Sequence, residues 1–243
     1  MLLWMLQVYP NIHKAVICDI NHDLIQTWRS VAENPADLIK ILQEMQNEYY
    51  ALEHDEDRKK EYFYKKRDIF NARDGNSSEQ SALFIFLNRT CFNGLYRVNR
   101  QNFYNVPIGS YKKPCICDAQ NIIAVSHLIK KVEIVCADFE DSLHHAQTNS
   151  LFYLDPPYKP LSSTSSFTAY ANNAFDDAEQ IRLQRFCQKL DEQQHQWLLS
   201  NSDHVFFDEI YMKFKRQRVK ARRNINAKHE GRGVLTELLM QNY

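Results

Sequence analysis

The sequence predicts an α/β fold built on a largely parallel sheet, and three observations predict it. Short apolar runs end in an acid at Asp19, Asp138 and Asp155, as buried strands do where the chain leaves the carboxyl edge of a sheet. Helical spacing of apolar residues follows the first of them, with Leu24, Ile25, Trp28 and Val31, then Leu38, Ile39, Leu42 and Met45. Two prolines come directly after the third acid, and ligands of open α/β sheets bind at such strand ends. A chain of 243 residues suits one large domain, or one domain with an insertion.

In chain order, residues 15–21 read as a strand whose tip carries Asp19. An acid at the tip of the second strand of a dinucleotide-type fold hydrogen-bonds ribose hydroxyls. The alternative role is a helix cap, which Asn21 and Asp23 also suit. A helical pattern then runs from Leu24 to about Phe70, broken once at Asn34-Pro35. Residues 71–80 read as a surface loop, and a buried helix begins at Ser81. From 88 to 114, arginines, asparagines and aromatics interleave with glycines and prolines. Such loops can stack bases, hydrogen-bond their edges and touch phosphates. The competing reading is an aromatic minicore with solvated arginines.

Residues 132–139 form another strand, ending in Asp138 and Phe139, which suit the edge of an adenine site or a plain strand end. Residues 159–173, rich in Ser and Thr, read as a mobile loop over a site. A helix at 178–193 and a strand at 197–201 follow, and strands at 216–225 and 234–243 close a hairpin around 228–233.

The most informative stretch is Leu151-Phe152-Tyr153-Leu154-Asp155-Pro156-Pro157-Tyr158. Four apolar residues predict a short strand buried on both faces. Proline has no N–H, so the ladder stops at Pro156 and the chain turns out of the sheet. The turn offers a carboxylate, a carbonyl and a flat ring. Those groups suit the exocyclic amine of a nucleobase, whose lone pair is delocalised into the ring. Two acceptors on its hydrogens would localise that pair while an aromatic face stacks on the base.

Composition narrows the classes. With 44% hydrophobic and 25% charged residues the chain is of the soluble globular kind, and no apolar run approaches a membrane span. The opening Met1-Leu2-Leu3-Trp4-Met5-Leu6 lacks the basic lead-in and small-residue cleavage site of a signal peptide. Six scattered cysteines without zinc-site spacing predict free thiols, no metal and a cytoplasmic location. Thirty basic residues balance thirty acidic ones, yet residues 213–223 hold seven basic residues and no acid, and Arg97, Arg100, Lys112 and Lys113 lie among aromatics.

Taken together, Cys18-Asp19-Ile20-Asn21, the 88–114 block, Asp155–Tyr158, Phe167-Thr168-Ala169-Tyr170, and Glu237-Leu238-Leu239 with Asn242-Tyr243 resemble the Dam-type (D12 class, alpha group) DNA adenine-N6 methyltransferases. The resemblance implies an S-adenosylmethionine-dependent, Rossmann-like sheet with a helical target-recognition insertion. Residues 1–45 and 127–243 would be the catalytic domain and 46–126 the recognition domain. It implies a monomer that takes S-adenosylmethionine as cofactor and double-stranded DNA as partner. Asp155, Pro156, Pro157 and Tyr158 would be catalytic, and Asp19, Asp138, Phe139 and Asp155 would bind the cofactor. Arg89, Phe92, Asn93, Leu95, Arg97, Asn99, Pro107, Lys112 and Lys113 would bind DNA, with Arg97, Leu95 and Pro107 reading GATC. Phe92 stands where such enzymes often have Tyr, so it keeps the ring and loses the hydroxyl.

The family's opening Trp-x-Gly-Gly-Lys segment, its first strand and its Phe-x-Gly-x-Gly loop have no counterpart here, since the five glycines are 75, 94, 109, 231 and 233. Residues 1–8 match the helix after that loop. The expectation is therefore an N-terminally truncated methyltransferase. In the order 3-2-1-4-5 the missing strand is central, so its loss would part strands 2 and 3 from 4 and 5. Two readings follow: a site-specific DNA adenine-N6 methyltransferase, or a catalytically impaired DNA-binding remnant of one.

Overall fold

The computed structural model describes residues 1–161, 175–222 and 234–243. It divides into two compact units, Met1–Asp138 and Phe139–Tyr243. Part of the Ser/Thr-rich loop, with Phe167 to Tyr170, falls outside the described residues, as do residues 223–233.

The first unit opens with α1 (Leu2–Val8) and β1 (Ala15–Asp19), then packs α2 (His22–Glu33), α3 (Pro35–Ala51), α4 (Glu56–Ala72) and α5 (Ser77–Thr90). It closes with α6 (Ala119–Ile129) and β2 (Val132–Cys136). β1 and β2 are parallel and in register from Ala15 opposite Val132 to Asp19 opposite Cys136. Local chemistry sets the helix starts. Asn21 accepts the N–H groups of Asp23 and Leu24 at 3.1 and 3.2 Å, so the cap is Asn21 and not Asp19. Pro35 stands at the start of α3, where its missing N–H costs nothing.

The predicted helical run from 24 to 70 breaks twice, not once. The second break ends α3 at Ala51, and Asp55 reopens the helix by accepting the N–H of Arg58 at 3.0 Å. The expected loop at 71–80 shrinks to residues 73–76. Arg73 turns the chain with φ 56°, and Asn76 with Glu79 forms a capping box that starts α5 four residues ahead of Ser81. The core of this unit gathers Leu38, Leu42, Tyr49, Phe63, Phe70 and Leu87 around Phe86, all 0–1% exposed. Tyr49 and Tyr62 meet the Phe86 ring edge-on at 5.6 and 5.7 Å.

The second unit begins with a 3₁₀ turn (Phe139–His145) and β3 (Leu151–Leu154). Next come α7 (Asp177–Glu192), β4 (Gln196–Ser202), α8 (Val205–Ile210), β5 (Lys215–Arg222) and β6 (Val234–Gln241). The sheet order is β3-β4-β6-β5, with β3 parallel to β4 and the other pairings antiparallel. Trp197, Leu199, Phe207, Tyr211, Leu238 and Met240 are its fully buried centre. α6 and α8 are additions to the elements expected from the sequence.

The described strands fall into a pair and a set of four. Among the described residues β1 pairs only with β2, and β3 only with β4. The burial expected for both faces of β3 holds on one. Phe152 and Leu154 pack on the core, whereas Leu151 and Tyr153 are each 41% exposed. Among the described residues of the unit only one face of this strand has a layer against it, so alternate residues point away from the core. No helix among the described residues is long and apolar enough to cross a membrane.

Phe86→Ala is expected to cost about 3–5 kcal/mol, because several rings close on this one side chain. Chemical unfolding followed by circular dichroism measures it, and a loss under ~1 kcal/mol would mean the cluster repacks.

Candidate active site

β3 pairs with β4 through Leu154 opposite Leu199, so Ser200, Asn201 and Ser202 continue past the point where β3 ends. They meet the Asp155–Lys159 turn. Ser200 donates its hydroxyl to Oδ1 of Asp155 at 2.9 Å. The Asn201 side-chain oxygen accepts the N–H of Lys159 at 3.0 Å, and the Ser202 hydroxyl donates to the Lys159 carbonyl at 2.7 Å. From α7, Gln180 donates its amide to the Pro157 carbonyl at 3.0 Å and accepts from Asn201 at 3.4 Å. Gln180, Ser200, Asn201 and Ser202 are all buried. The Lys159 ammonium pairs with Asp177 and lies 4.7 Å over the Phe206 ring.

What this network leaves open is as informative as what it holds. Among the described residues no donor reaches the Pro156 carbonyl or Oδ2 of Asp155. Tyr158 is half-buried and its hydroxyl lies 3.5 Å from the Glu237 carboxylate on β6. Burial first, with the negative charges of Asp155 and Glu237 adding to it, pushes the Tyr158 phenol up to about 12, so it stays neutral. Ser200, Gln180 and Asn201 gave no functional signal in the sequence. Ser200 and Asn201 leave one trace, a polar run closing an apolar strand, Ser200-Asn201-Ser202 after Trp197-Leu198-Leu199, and Gln180 leaves none.

In the first unit, Asp19 ends β1 and its carboxylate accepts the Asn21 N–H at 2.7 Å, the one hydrogen bond of that carboxylate among the described residues. Burial raises its carboxyl above the usual range, and that N–H only partly offsets the effect. The carbonyl of Asp138 lies 3.6 Å from the Cys18 thiol. Phe139, in the second unit, carries the Arg182 guanidinium over its ring at 4.1 Å and packs on Phe175 and Phe186. All six cysteines are free, and no group of His, Cys, Asp and Glu among the described residues is placed to hold a metal ion.

The 88–114 block combines both readings: Val98, Tyr104 and Val106 are 1–3% exposed and Tyr104 packs on Phe70 and Tyr96 as a small aromatic core, while the outer residues form an open surface. A 3₁₀ turn at Phe92–Gly94, with Asn93 at φ 55°, is tied back where Phe92 N–H donates to the Pro107 carbonyl at 2.9 Å. Phe92, Leu95, Phe103 and Tyr111 are 39–44% exposed, and Pro107, Arg89, Arg100 and Lys112 are exposed as well. Arg97 is half-buried and pre-oriented. Its Nε donates to the Asn105 side chain at 2.7 Å and a second nitrogen reaches the Asn105 carbonyl at 3.4 Å. Asn99 accepts the N–H groups of Gln101 and Phe103 and so shapes the turn at 99–102. Lys113 pairs with Glu53 at 2.7 Å. Lys59, unremarked in the sequence, is buried beneath this loop and donates to the carbonyls of Tyr111 and Lys112 at 3.0 and 3.5 Å.

A turn with two open acceptors beside a ring, and a basic aromatic surface, can be set beside known proteins. Over 246 residues the chain is 45% identical to the type II methyltransferase M.MjaIII of Methanocaldococcus jannaschii, a match covering 100% of this chain and 84% of that protein. It is 37% identical over 237 residues to the type II methyltransferase M1.LlaDCHI of Lactococcus lactis, covering 95% and 80%. The DNA adenine methylase of Escherichia coli K12 is 34% identical over 227 residues, covering 92% and 77%. Residues 1–225 match the family itself, and by that match the chain belongs to the D12 class N6 adenine-specific DNA methyltransferases, which are enzymes.

Proposed function

We propose that this chain transfers a methyl group from S-adenosylmethionine to N6 of an adenine flipped out of double-stranded DNA, at GATC. The observation that carries the reading is the pair of open acceptors, Asp155 Oδ2 and the Pro156 carbonyl, on a turn anchored at Asp155 Oδ1, the Pro157 carbonyl and the backbone of Lys159. Both accept the N6 hydrogens, drawing the lone pair out of the ring, and Tyr158 stacks on the base. The Asp155 carboxylate stabilises the positive charge that grows on N6, and the Ser200 hydrogen bond keeps it aimed. Flipping costs a few kcal/mol, which the DNA contacts offset. A turn anchored at these four points favours a catalyst over a binding-only remnant.

S-adenosylmethionine supplies the electrophilic methyl when bound. Asp19 fits its ribose: a carboxylate short of water and holding one N–H gains from two hydroxyl donors. Asp138 and Phe139 would border the adenine end and Asp155 the methionine end. On the DNA side, Leu95, Arg97 and Pro107 would read bases and Phe92 would lie near the flipped one. Arg89, Asn93, Asn99, Lys112 and Lys113 would contact the backbone and flanks. From Ser81 to Cys117 the chain has five basic residues and no acid, which supports that assignment.

Asp155→Ala should lower single-turnover transfer of labelled methyl by at least about a hundredfold, with duplex affinity changed less than about threefold. Retained transfer would remove Asp155 from the mechanism. Lys112→Ala should weaken GATC and scrambled duplexes alike and reduce the slope of log K against log salt by about 1.

For Asp19→Asn the sign follows from its raised carboxyl. Folding favours the protonated acid, so wild-type stability is fully present below the ordinary carboxylate range and declines as pH rises through the elevated value. The variant cannot ionise. Its melting temperature relative to wild type should climb between acidic and neutral pH, while its cofactor affinity falls about tenfold or more for want of charged acceptors. Scanning fluorimetry across pH and titration calorimetry measure the two, and a pH-independent difference would contradict the burial effect.

A further inference from the structure

Asp23, Arg73 and Tyr96 have no part in the proposed chemistry, yet they join the tip of β1 to the hairpin that carries Leu95 and Arg97. Asp23 lies in the first turn of α2 with its side chain 11% exposed. Its two oxygens are divided between two partners. Oδ1 accepts from Arg73 at 2.5 Å, and Oδ2 accepts from the Tyr96 hydroxyl at 3.2 Å. Arg73 then reaches on, donating its other terminal nitrogen to the Asn102 carbonyl at 2.8 Å. Asn102 stands at φ 62° in the turn of a hairpin closed by the Val98–Tyr104 bridge. On the other side, Asn21 accepts the Asp23 N–H at 3.1 Å and gives its own N–H to Asp19 at 2.7 Å. Every link from Asp19 to the hairpin turn is therefore a hydrogen bond or an ion pair.

Two features set these contacts apart from those of solvated side chains. Arg73 caps α4 in the left-handed region, where glycine would be the unstrained residue. Glycine, however, could not reach both Asp23 and Asn102. Burial first, and then the Asp23 charge, raises the Tyr96 phenol, so its hydroxyl stays a proton donor throughout the physiological range.

We infer that Asp23, through Tyr96 and Arg73, is a positioning residue that couples occupancy at Asp19 to sequence reading by residues 95–105. The inference rests on the proposed roles of Asp19 and of that hairpin. A ligand that fixes Asp19 also fixes Asn21, and with it the helix cap that holds Asp23. Asp23 in turn sets where Tyr96 and Asn102 stand. The ordering cost of the hairpin is then met before DNA arrives, so cofactor and specific DNA each tighten the other. Non-specific duplex, held through phosphates, gains little from that order.

The test measures fluorescence anisotropy of the full chain on a GATC duplex and on a scrambled duplex, each with and without saturating S-adenosylhomocysteine. In the unaltered chain the product analogue should tighten GATC binding by a factor within the roughly 5–150-fold span of such couplings. Tyr96→Phe, which removes one oxygen, should lower that factor at least about threefold and leave the scrambled duplex unchanged. Asp23→Asn should act the same way, and unfolding midpoints of both variants separate coupling from loss of fold. An unaltered chain that prefers GATC but shows no coupling, or whose coupling survives in Tyr96→Phe, overturns the link alone. So does a uniform loss of affinity for both duplexes. No GATC preference in the unaltered chain overturns the proposed function, and the link falls with it.

Discussion

Proline's missing N–H ends β3 at Asp155, and the extra length of β4 determines what happens next. A turn leaving a sheet has backbone groups that its own strand no longer satisfies. Here three consecutive residues of the neighbouring strand take them over, with Ser200 on Asp155 and with Asn201 and Ser202 on the N–H and carbonyl of Lys159. These partners are 0–7% exposed, so each bond sits where water competes little and a missing one would leave a buried group unsatisfied. The turn is rigid for that reason, and rigidity lets two acceptors stay open without collapsing onto their neighbours.

The 88–114 surface is held by the same device with a helix in place of a strand. α4 reads as a charged helix, yet two of its polar residues and a third just past its end point at loop backbone. Lys59 takes the carbonyls of Tyr111 and Lys112, and Asn71 brackets Tyr104 by donating to its carbonyl at 3.1 Å and accepting its N–H at 2.8 Å. Arg73, just past the helix end, takes Asn102. A buried ammonium is costly unless acceptors surround it. Lys59, with two carbonyls, Glu56 at 3.7 Å and the Tyr49 ring at 5.1 Å, has them. Exposed aromatics such as Phe92 and Phe103 can project from loops because the loops' backbone is tied underneath.

This division explains what could be read in the sequence and what could not. Strands ending in acids, the Pro-Pro exit and the periodic helices of the first unit were legible because they depend on residue type and spacing alone. Asn21 as a cap was equally local. The anchors were not. Ser200, Gln180, Lys59 and Asn71 are ordinary polar residues whose partners lie between 23 and 53 positions away, and no spacing rule says which carbonyl a side chain will meet. The helix break at 52–55 and the early start of α5 were missed for a different reason. Both rest on single capping residues, Asp55 and Asn76, inside stretches whose composition reads as loop or as continuous helix.

A chain of zero formal charge is an unpromising DNA ligand only if charge is counted globally. Salt screens charges beyond about 8–10 Å, so a duplex lying on the 88–114 surface responds to that surface and little else. Lys113 is already paired with Glu53, whereas Arg89, Arg100 and Lys112 form no ion pair among the described residues. On the proposed reading, these exposed cations set affinity without regard to sequence, and discrimination falls to groups whose geometry is fixed beforehand. Arg97 is the clearest of them. Its guanidinium is clamped by Asn105 on one side, which presets the remaining donors, and a base edge of the wrong pattern would leave them unpaired in a desolvated contact.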